Sequence, residues 1–282
     1  MNDDIKCYLC NSDKTFLYKE INGSLIYSCK NCGLKWVINN AMDLKDLYTE
    51  NYFNCNSKIG YQNYLRDELN HRKNAQNMLK FIGKFKKLEN LKVLDVGCAF
   101  GFLLDEARNL AGCDTFGNEL SDYAYKYAKE KLKLNVSNSA LTPGCYPENS
   151  FDIVFMIGTI EHLNSPKETI NTARHILKPD GLLVITTIDI AGKFPLYSLK
   201  PPEHLFYFNH KNLSRLLRGS NFEILKVKTY FSHYYLYDLV YKIGEFASFK
   251  FLSPLSGFIK RKFPKLNLKI PTNEIIIVAR AV

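Results

Sequence analysis

The segment LKVLDVGCAFGF, residues 91 to 102, constrains the fold of this chain more than any other. Val93 to Val96 is an apolar run interrupted by one acid, Asp95, and it breaks into the small-residue turn Gly97-Cys98-Ala99-Phe100-Gly101. Leu103, Leu104, Ala107 and Leu110 follow at helical spacing. A strand that feeds a glycine turn and then a helix N-terminus opens a βαβ unit, and repeated units build a parallel sheet. The alternation continues. Strands are expected at 92–96, 115–119, near Val136, at 152–157 and at 182–188, with helices near 101–111, 122–132, 166–177 and 211–219. The segments 222–230 and 273–281 lack an ordinary helix between them and suit a final antiparallel pair. The fold class is therefore α/β, a doubly wound sheet.

Three ligands compete for the glycine turn. A phosphate loop of the GxxxxGKS/T type fails, because no lysine follows Gly101. A dinucleotide fingerprint, GxGxxG, would fall on Gly97, Ala99 and Phe102, where Phe102 obstructs close helix packing and Asp95 disfavours a pyrophosphate. A cationic ligand without phosphate fits best. S-adenosylmethionine carries a sulfonium, an ammonium and a ribose, and Glu119 is placed to accept both ribose hydroxyls.

At this point the chain resembles the class I S-adenosylmethionine-dependent methyltransferases. VLDVGCAFG resembles their first motif, FGNELS the acidic end of their second strand, SFDIVFMIGTIEHL their fourth strand, and ILKPDGLLVITT their turn into strand five. The likeness covers about residues 91 to 230. It implies a seven-stranded Rossmann-like methyltransferase sheet. It also implies cofactor contacts from Asp95, Gly97, Cys98, Gly101, Glu119, Leu120, Ala140, Leu141 and Ile157. Two departures stand out. The middle glycine is Ala99, and SNSALTPG offers no acid for adenine, so that role falls to backbone near Ala140 and Leu141, or to Ser139.

The same resemblance bears on the acceptor. IGTIEHL replaces the (N/D)PPY-like turn of base N-methylases, which counts against adenine or cytosine as acceptor. Glu161-His162 resembles the acid–histidine pair of small-molecule O-methyltransferases, including ubiquinone-pathway enzymes. KPPEHLFYF resembles a loop that brings a histidine, here His204, over the pocket in a zinc-ribbon-bearing subgroup found among glycan and natural-product methylases. Either histidine could take a hydroxyl proton near neutral pH. With Glu161 they could instead hold a divalent ion, although relatives that do so usually carry a further Glu where this chain has Gly158. A plainer alternative makes Glu161 a cap for the next helix with His162 packed beneath it. His71, His175, His210 and His233 read as surface or packing residues.

Cys7 and Cys10 in CYLC, and Cys29 and Cys32 in CKNCG, have the spacing of a zinc ribbon. Between them KTFLYKEINGSLIYSC reads as a hairpin with Asn22-Gly23 at its tip. The domains expected are a structural zinc ribbon at 1–45, a helical linker at 46–90 and the methyltransferase domain at 91–282. The linker carries a helical pattern from about Tyr61 to Lys87. Cys55, Cys98, Cys113 and Cys145 read as ordinary buried thiols.

The net charge of +10 admits nucleic acid, and a zinc-ribbon RNA methyltransferase is the rival reading. A lysine-rich composition accounts for the charge equally well. The expected partner is a small molecule, a glycan precursor or a lipid-linked acceptor, methylated on a hydroxyl or a sugar carbon. The insertion 231–272 is aromatic and basic and reads as a helical cap, with Lys260, Arg261, Lys262 and Lys265 leaving peripheral membrane contact open. MNDDIKC is not a secretion signal and no apolar run spans a bilayer, so a cytoplasmic location is expected.

Overall fold

The computed structural model describes residues 5–38, 44–54, 60, 63–192, 199–246 and 252–282. At the N-terminus, β1 (Thr15–Ile21), β2 (Ser24–Cys29) and β3 (Lys35–Ile38) form an antiparallel meander. Asn22 and Gly23 have φ of 50° and 78°, the left-handed pair that a tight two-residue hairpin turn needs. Two short helices, α1 (Leu44–Leu47) and α2 (Glu50–Asn54), lead to α3 (Glu68–Ile82). The expected helix from Tyr61 is thus shorter: Tyr61 lies outside the described residues, a single tight turn occupies Leu65–Asp67, and Gly83 follows the last helical residue.

The doubly wound body follows. It comprises β4 (Lys92–Val96), α4 (Phe102–Ala111), β5 (Asp114–Asn118), α5 (Asp122–Lys126), β6 (Asn135–Ser137), β7 (Phe151–Ile157), α6 (Pro166–Ile176) and β8 (Leu177–Ile188). Next come β9 (Phe206–Tyr207), α7 (His210–Arg218), β10 (Phe222–Tyr235), α8 (Leu236–Phe246), α9 (Leu252–Lys262) and β11 (Asn267–Ala281). The seven-stranded sheet has the order β10-β11-β8-β7-β4-β5-β6, parallel from β8 to β6, with β11 and β10 antiparallel at the edge. The central β7, FDIVFMI, is buried at every position but its last, as a strand covered on both faces must be. Chain order reverses between β4 and β7. That switch opens a crevice at the carboxyl ends of the strands, where α/β sheets bind ligands.

Two features reach beyond the expected frame. Residues 231–235 and 267–272 are not helical. They continue β10 and β11 as a paired arm, Phe231 opposite Pro271 and Tyr235 opposite Asn267. Because Glu274 is already level with Ile188, the arm projects beyond the carboxyl end of β8, and α8 and α9 sit at its far end. The second feature is β9. It pairs with β3 rather than with the large sheet, so the small sheet runs β1-β2-β3-β9 and its apolar side joins the main core.

One guanidinium makes a dense tie between the linker and the body. Arg72 of α3 meets Glu68 at 2.7 Å, Asp105 at 2.7 Å and Glu106 at 2.9 Å, while its planar group lies 5.0 Å from the Phe102 ring centroid. Phe102, expected to obstruct a dinucleotide, is used here to seat α3 on α4. No helix among the described residues is long and apolar enough to cross a membrane.

Candidate functional site

The glycine turn is pinned across the crevice. Gly97 and Cys98 both donate their N–H to the Asn118 carbonyl, at 2.8 and 3.0 Å. Gly97 has φ of 72°, and a Cβ there would stand 2.9 Å from the Thr159 side chain, so the residue must be glycine. Ala99 is also left-handed, at φ 47°, in the place where the resemblance expects glycine. Its N–H donates to Glu119 Oε2 at 2.7 Å, and Ser121 N–H donates to Glu119 Oε1 at the same distance. Glu119 therefore shapes the turn as well as facing the cleft.

Asp95 is buried, and its Oδ1 has no hydrogen-bond partner among the described residues. Burial pushes its pKa well up, and the nearby Glu119 carboxylate adds to the rise. Glu119 is raised too, by burial, against the pull of the Ser121 and Ala99 N–H groups. Two buried acids that resist ionising together are short of a cation. The sulfonium and ammonium of S-adenosylmethionine would supply one, and a lone pair on Glu119 remains for a ribose hydroxyl. Asn138 Nδ2 donates to the Glu119 and Leu120 carbonyls at 3.0 and 3.3 Å, fixing the segment that carries Ala140 and Leu141 beside β5. Leu141 is buried, whereas Ala140 is exposed at the rim and Ile157 is half-buried at the end of β7.

A second cluster of polar side chains begins where β7 ends. Thr159 Oγ1 donates to the Val96 carbonyl at 3.0 Å, so the turn Ile160–His162 adjoins the cofactor crevice. Glu161, His162 and His204 converge, with one donor atom from each lying within 4.8 Å of the others. The His162 and His204 rings meet edge to face at 4.7 Å. His162 Nδ1 lies 2.8 Å from the Glu203 carbonyl. A carbonyl only accepts, so Nδ1 carries the proton and Nε2 keeps its lone pair. Burial lowers the pKa of His162, and it pushes that of His204 down to about 2, with His162 and Lys200 adding to the effect. Burial pushes Glu161 up to about 8, and its Oε2 has no partner among the described residues. The cluster is consequently uncharged at neutral pH. Each neutral imidazole keeps a lone pair, which burial makes a weak base, and two imidazoles with a carboxyl also form a donor set for a divalent cation. Glu161 does not cap the next helix, which starts at Pro166 with Ser165 at the capping position.

Three members of this site, Glu203, Tyr52 and Tyr48, escape a reading of the sequence. Glu203 places Oε1 2.7 Å from the Tyr52 hydroxyl, which donates to it, and 3.9 Å from His204 Nε2. Tyr48 turns its ring to His162 at 6.1 Å. The signal for Glu203 was its place beside His204. For Tyr48 and Tyr52 no local pattern exists.

The four ribbon thiols come together as expected. Cys7 and Cys32 have sulfurs 3.6 Å apart, as do Cys10 and Cys29, and all four lie within 4.8 Å of one another. Ligands at about 2.3 Å around a tetrahedral zinc stand roughly 3.8 Å apart, so the arrangement fits that ion. Burial raises the pKa of Cys7 and Cys32, with Cys7 adding to the rise at Cys32. Cys10 is also opposed by burial, yet the Asn31 amide and Ser12 N–H draw it down to about 7. A cation is what would let all four ionise. Of the remaining cysteines, Cys98 and Cys113 are buried, Cys55 lies outside the described residues, and Cys145 is exposed, correcting its expected burial.

The ribbon is built into the Glu161–His204 cluster. Trp36 is opposite Phe206, Val37 N–H donates to the Leu205 carbonyl at 2.9 Å, and Leu205 N–H donates to the Glu161 carbonyl at 2.8 Å. His204 thus lies two residues before the strand that pairs with the ribbon.

Known proteins bear on this geometry. Residues 62–227, more than half of the chain, match the family described as methyltransferase domain. Over 133 residues the chain is 31% identical to the ubiquinone biosynthesis O-methyltransferase of Coxiella burnetii, covering 45% of this chain and 56% of that protein. The chain thus spans about half the length of the curated relatives it matches. Among solved structures, the cyclase SpnF aligns with a TM-score of 0.52 at 16% identity, over 73% of this chain and 80% of its own. A putative sarcosine dimethylglycine methyltransferase from Galdieria sulphuraria aligns with a TM-score of 0.51 at 16% identity, over 75% and 85%. At such identities the likeness is one of fold, and a cyclase among the neighbours leaves the reaction to be argued from site residues. The family match and the shared fold agree with the turn, the acids and the sheet order: the chain belongs to the class I S-adenosylmethionine-dependent methyltransferase-domain family.

Proposed function

We propose that the chain transfers the methyl group of S-adenosylmethionine to a hydroxyl of a small molecule. The observation that carries this reading is the imidazole of His162, fixed by the Glu203 carbonyl with Nε2 unprotonated, beside the cofactor crevice. Methyl transfer from a sulfonium is an in-line displacement, so the protein positions the acceptor and removes its proton. His162 or His204 would take that proton as the sulfonium departs as a neutral thioether, so one positive charge is exchanged for another. The name of the relatives, ubiquinone biosynthesis O-methyltransferase, supports a phenolic hydroxyl as the first acceptor to test. Glycan precursors, sugar carbons and lipid-linked acceptors come after it. Cys7, Cys10, Cys29 and Cys32 would hold a structural zinc, whose four thiolates leave no position for chemistry.

The test is methyl transfer from labelled S-adenosylmethionine to a panel of phenols. His162→Ala and His204→Ala are expected to lower turnover by about two orders of magnitude, with cofactor affinity by calorimetry near that of the parent. Parental turnover in both variants sinks the proton role. The 4.8 Å convergence of Glu161, His162 and His204 favours a second reading, in which these residues hold a divalent cation that polarises the hydroxyl. That reading requires added magnesium or manganese to raise turnover of the parent and not of His204→Ala.

A further inference from the structure

We propose that the far end of the β10–β11 arm, with α8 and α9, docks onto an anionic lipid bilayer. Exposed apolar side chains are concentrated there. Among the described residues fourteen large apolar side chains are exposed, and eight of them fall between 231 and 268. Ile243, Phe258 and Phe263 are the most open of these, at 56, 48 and 55%. A soluble surface tolerates such residues singly, but a cluster marks a contact.

The orientation of α9 follows from its inner face. Ser256 Oγ donates to the Tyr237 carbonyl at 2.9 Å, and Lys260 lies 5.5 Å from the Tyr237 ring centroid. The opposite face carries Leu255 and Phe258, with Arg261 and Lys262 one turn on. Residues 252–273 hold five cations, Lys260, Arg261, Lys262, Lys265 and Lys269, and no acid. Asp238 at the start of α8 is already engaged by Arg66 at 3.1 Å.

Within residues 252–273, apolar side chains interleaved with cations, without acids, match the boundary between headgroups and acyl chains of an anionic membrane. A nucleic acid would use the cations but not the open phenylalanines. A second copy would bury the phenylalanines while setting like charges against each other. The bilayer satisfies both sets at once.

The position suits a membrane-bound acceptor. The arm leaves the sheet at its carboxyl edge, the edge that bears Asp95 and Glu119. Tyr235 donates to the Arg66 carbonyl at 3.3 Å, and neighbouring Tyr64 stacks on Phe100 of the glycine turn at 5.0 Å. A bilayer under α9 would lie beside the mouth of the crevice. Docking itself does not depend on the proposed methyl transfer.

Co-sedimentation tests the proposal, using the full chain and vesicles of phosphatidylcholine with or without phosphatidylglycerol. The parent is expected to bind the anionic vesicles about tenfold or more tightly than the neutral ones, and to weaken as salt rises. Phe258→Ser with Phe263→Ser should lose binding at every salt concentration, and Arg261→Gln with Lys262→Gln should lose the preference for phosphatidylglycerol. All four positions are exposed, so melting temperature and S-adenosylmethionine affinity should be those of the parent. No binding to anionic vesicles at low salt overturns the proposal. So does undiminished binding by the double-serine variant, or a dimer in sedimentation that this variant abolishes.

Discussion

Replacing Glu119 by glutamine changes one atom and tests the centre of the cofactor site. Each carboxylate oxygen receives a backbone N–H at 2.7 Å, one from Ala99 and one from Ser121. Whichever way the new amide turns, its NH2 faces one of those donors. Glu119 is buried, so that donor is left without an acceptor, at about 1–3 kcal/mol. For a chain of this size each kcal/mol moves the melting temperature by roughly 2–4 °C, so the ligand-free variant should melt about 2–12 °C lower. A second loss appears on binding. If the ribose donates to the same carboxylate, another 1–3 kcal/mol or so is forfeited, and affinity for S-adenosylmethionine falls about tenfold or more. Thermal denaturation without cofactor and titration calorimetry with it separate the two effects. A lower melting point with parental affinity would refute the placement of the ribose. If neither changes, Glu119 does not hold the turn either.

Metal analysis should return about one zinc per chain, and Cys29→Ser should lose it. Because β9 pairs with β3, amide exchange at Phe206 and Tyr207 should then quicken while that of β4 stays slow; persistent protection at β9 would show that the ribbon does not brace the His204 segment. His71 is expected to set part of the acid sensitivity: burial pushes its pKa from 6.5 down to about 4, where it stacks on Tyr64 at 4.0 Å. The unfolded chain therefore protonates first, so this contribution is complete above pH 6.5 and falls away toward pH 4, by at most about 3 kcal/mol. His71→Phe keeps the stack and should flatten the urea midpoint across that range; an unchanged slope excludes His71 as the cause.

What the sequence made legible is what local physics encodes. The apolar run of β7 must be covered on both faces, and the turn at Gly97 needs a left-handed residue. The pairs Cys7-Cys10 and Cys29-Cys32 have the spacing of a shared cluster, so the fold class and the convergence of the four thiols could be read from the sequence. The arm was missed because a strand that leaves its sheet loses the buried-face pattern that identifies it. Beyond Thr229 the burial of β10 no longer follows a fixed alternation, and periodicity says little.

The acceptor site fails to be legible for a different reason. Its geometry is closed by contacts that join distant parts of the chain. Tyr52 reaches Glu203 across 151 residues, and Val37 of the ribbon fixes Leu205, whose own N–H fixes Glu161. Each partner is unremarkable in its own neighbourhood. The two-residue β9 is too short for any propensity to specify, and only the edge of β3 makes it a strand. Residues 203 to 205 thus receive the linker through Tyr52, the ribbon through Val37 and the end of β7 through Glu161. The cofactor half of the site is local to one βαβ unit and could be read from it. The proposed acceptor half exists only where three sequence-distant segments meet, which makes it the half most exposed to the loss of any one of them.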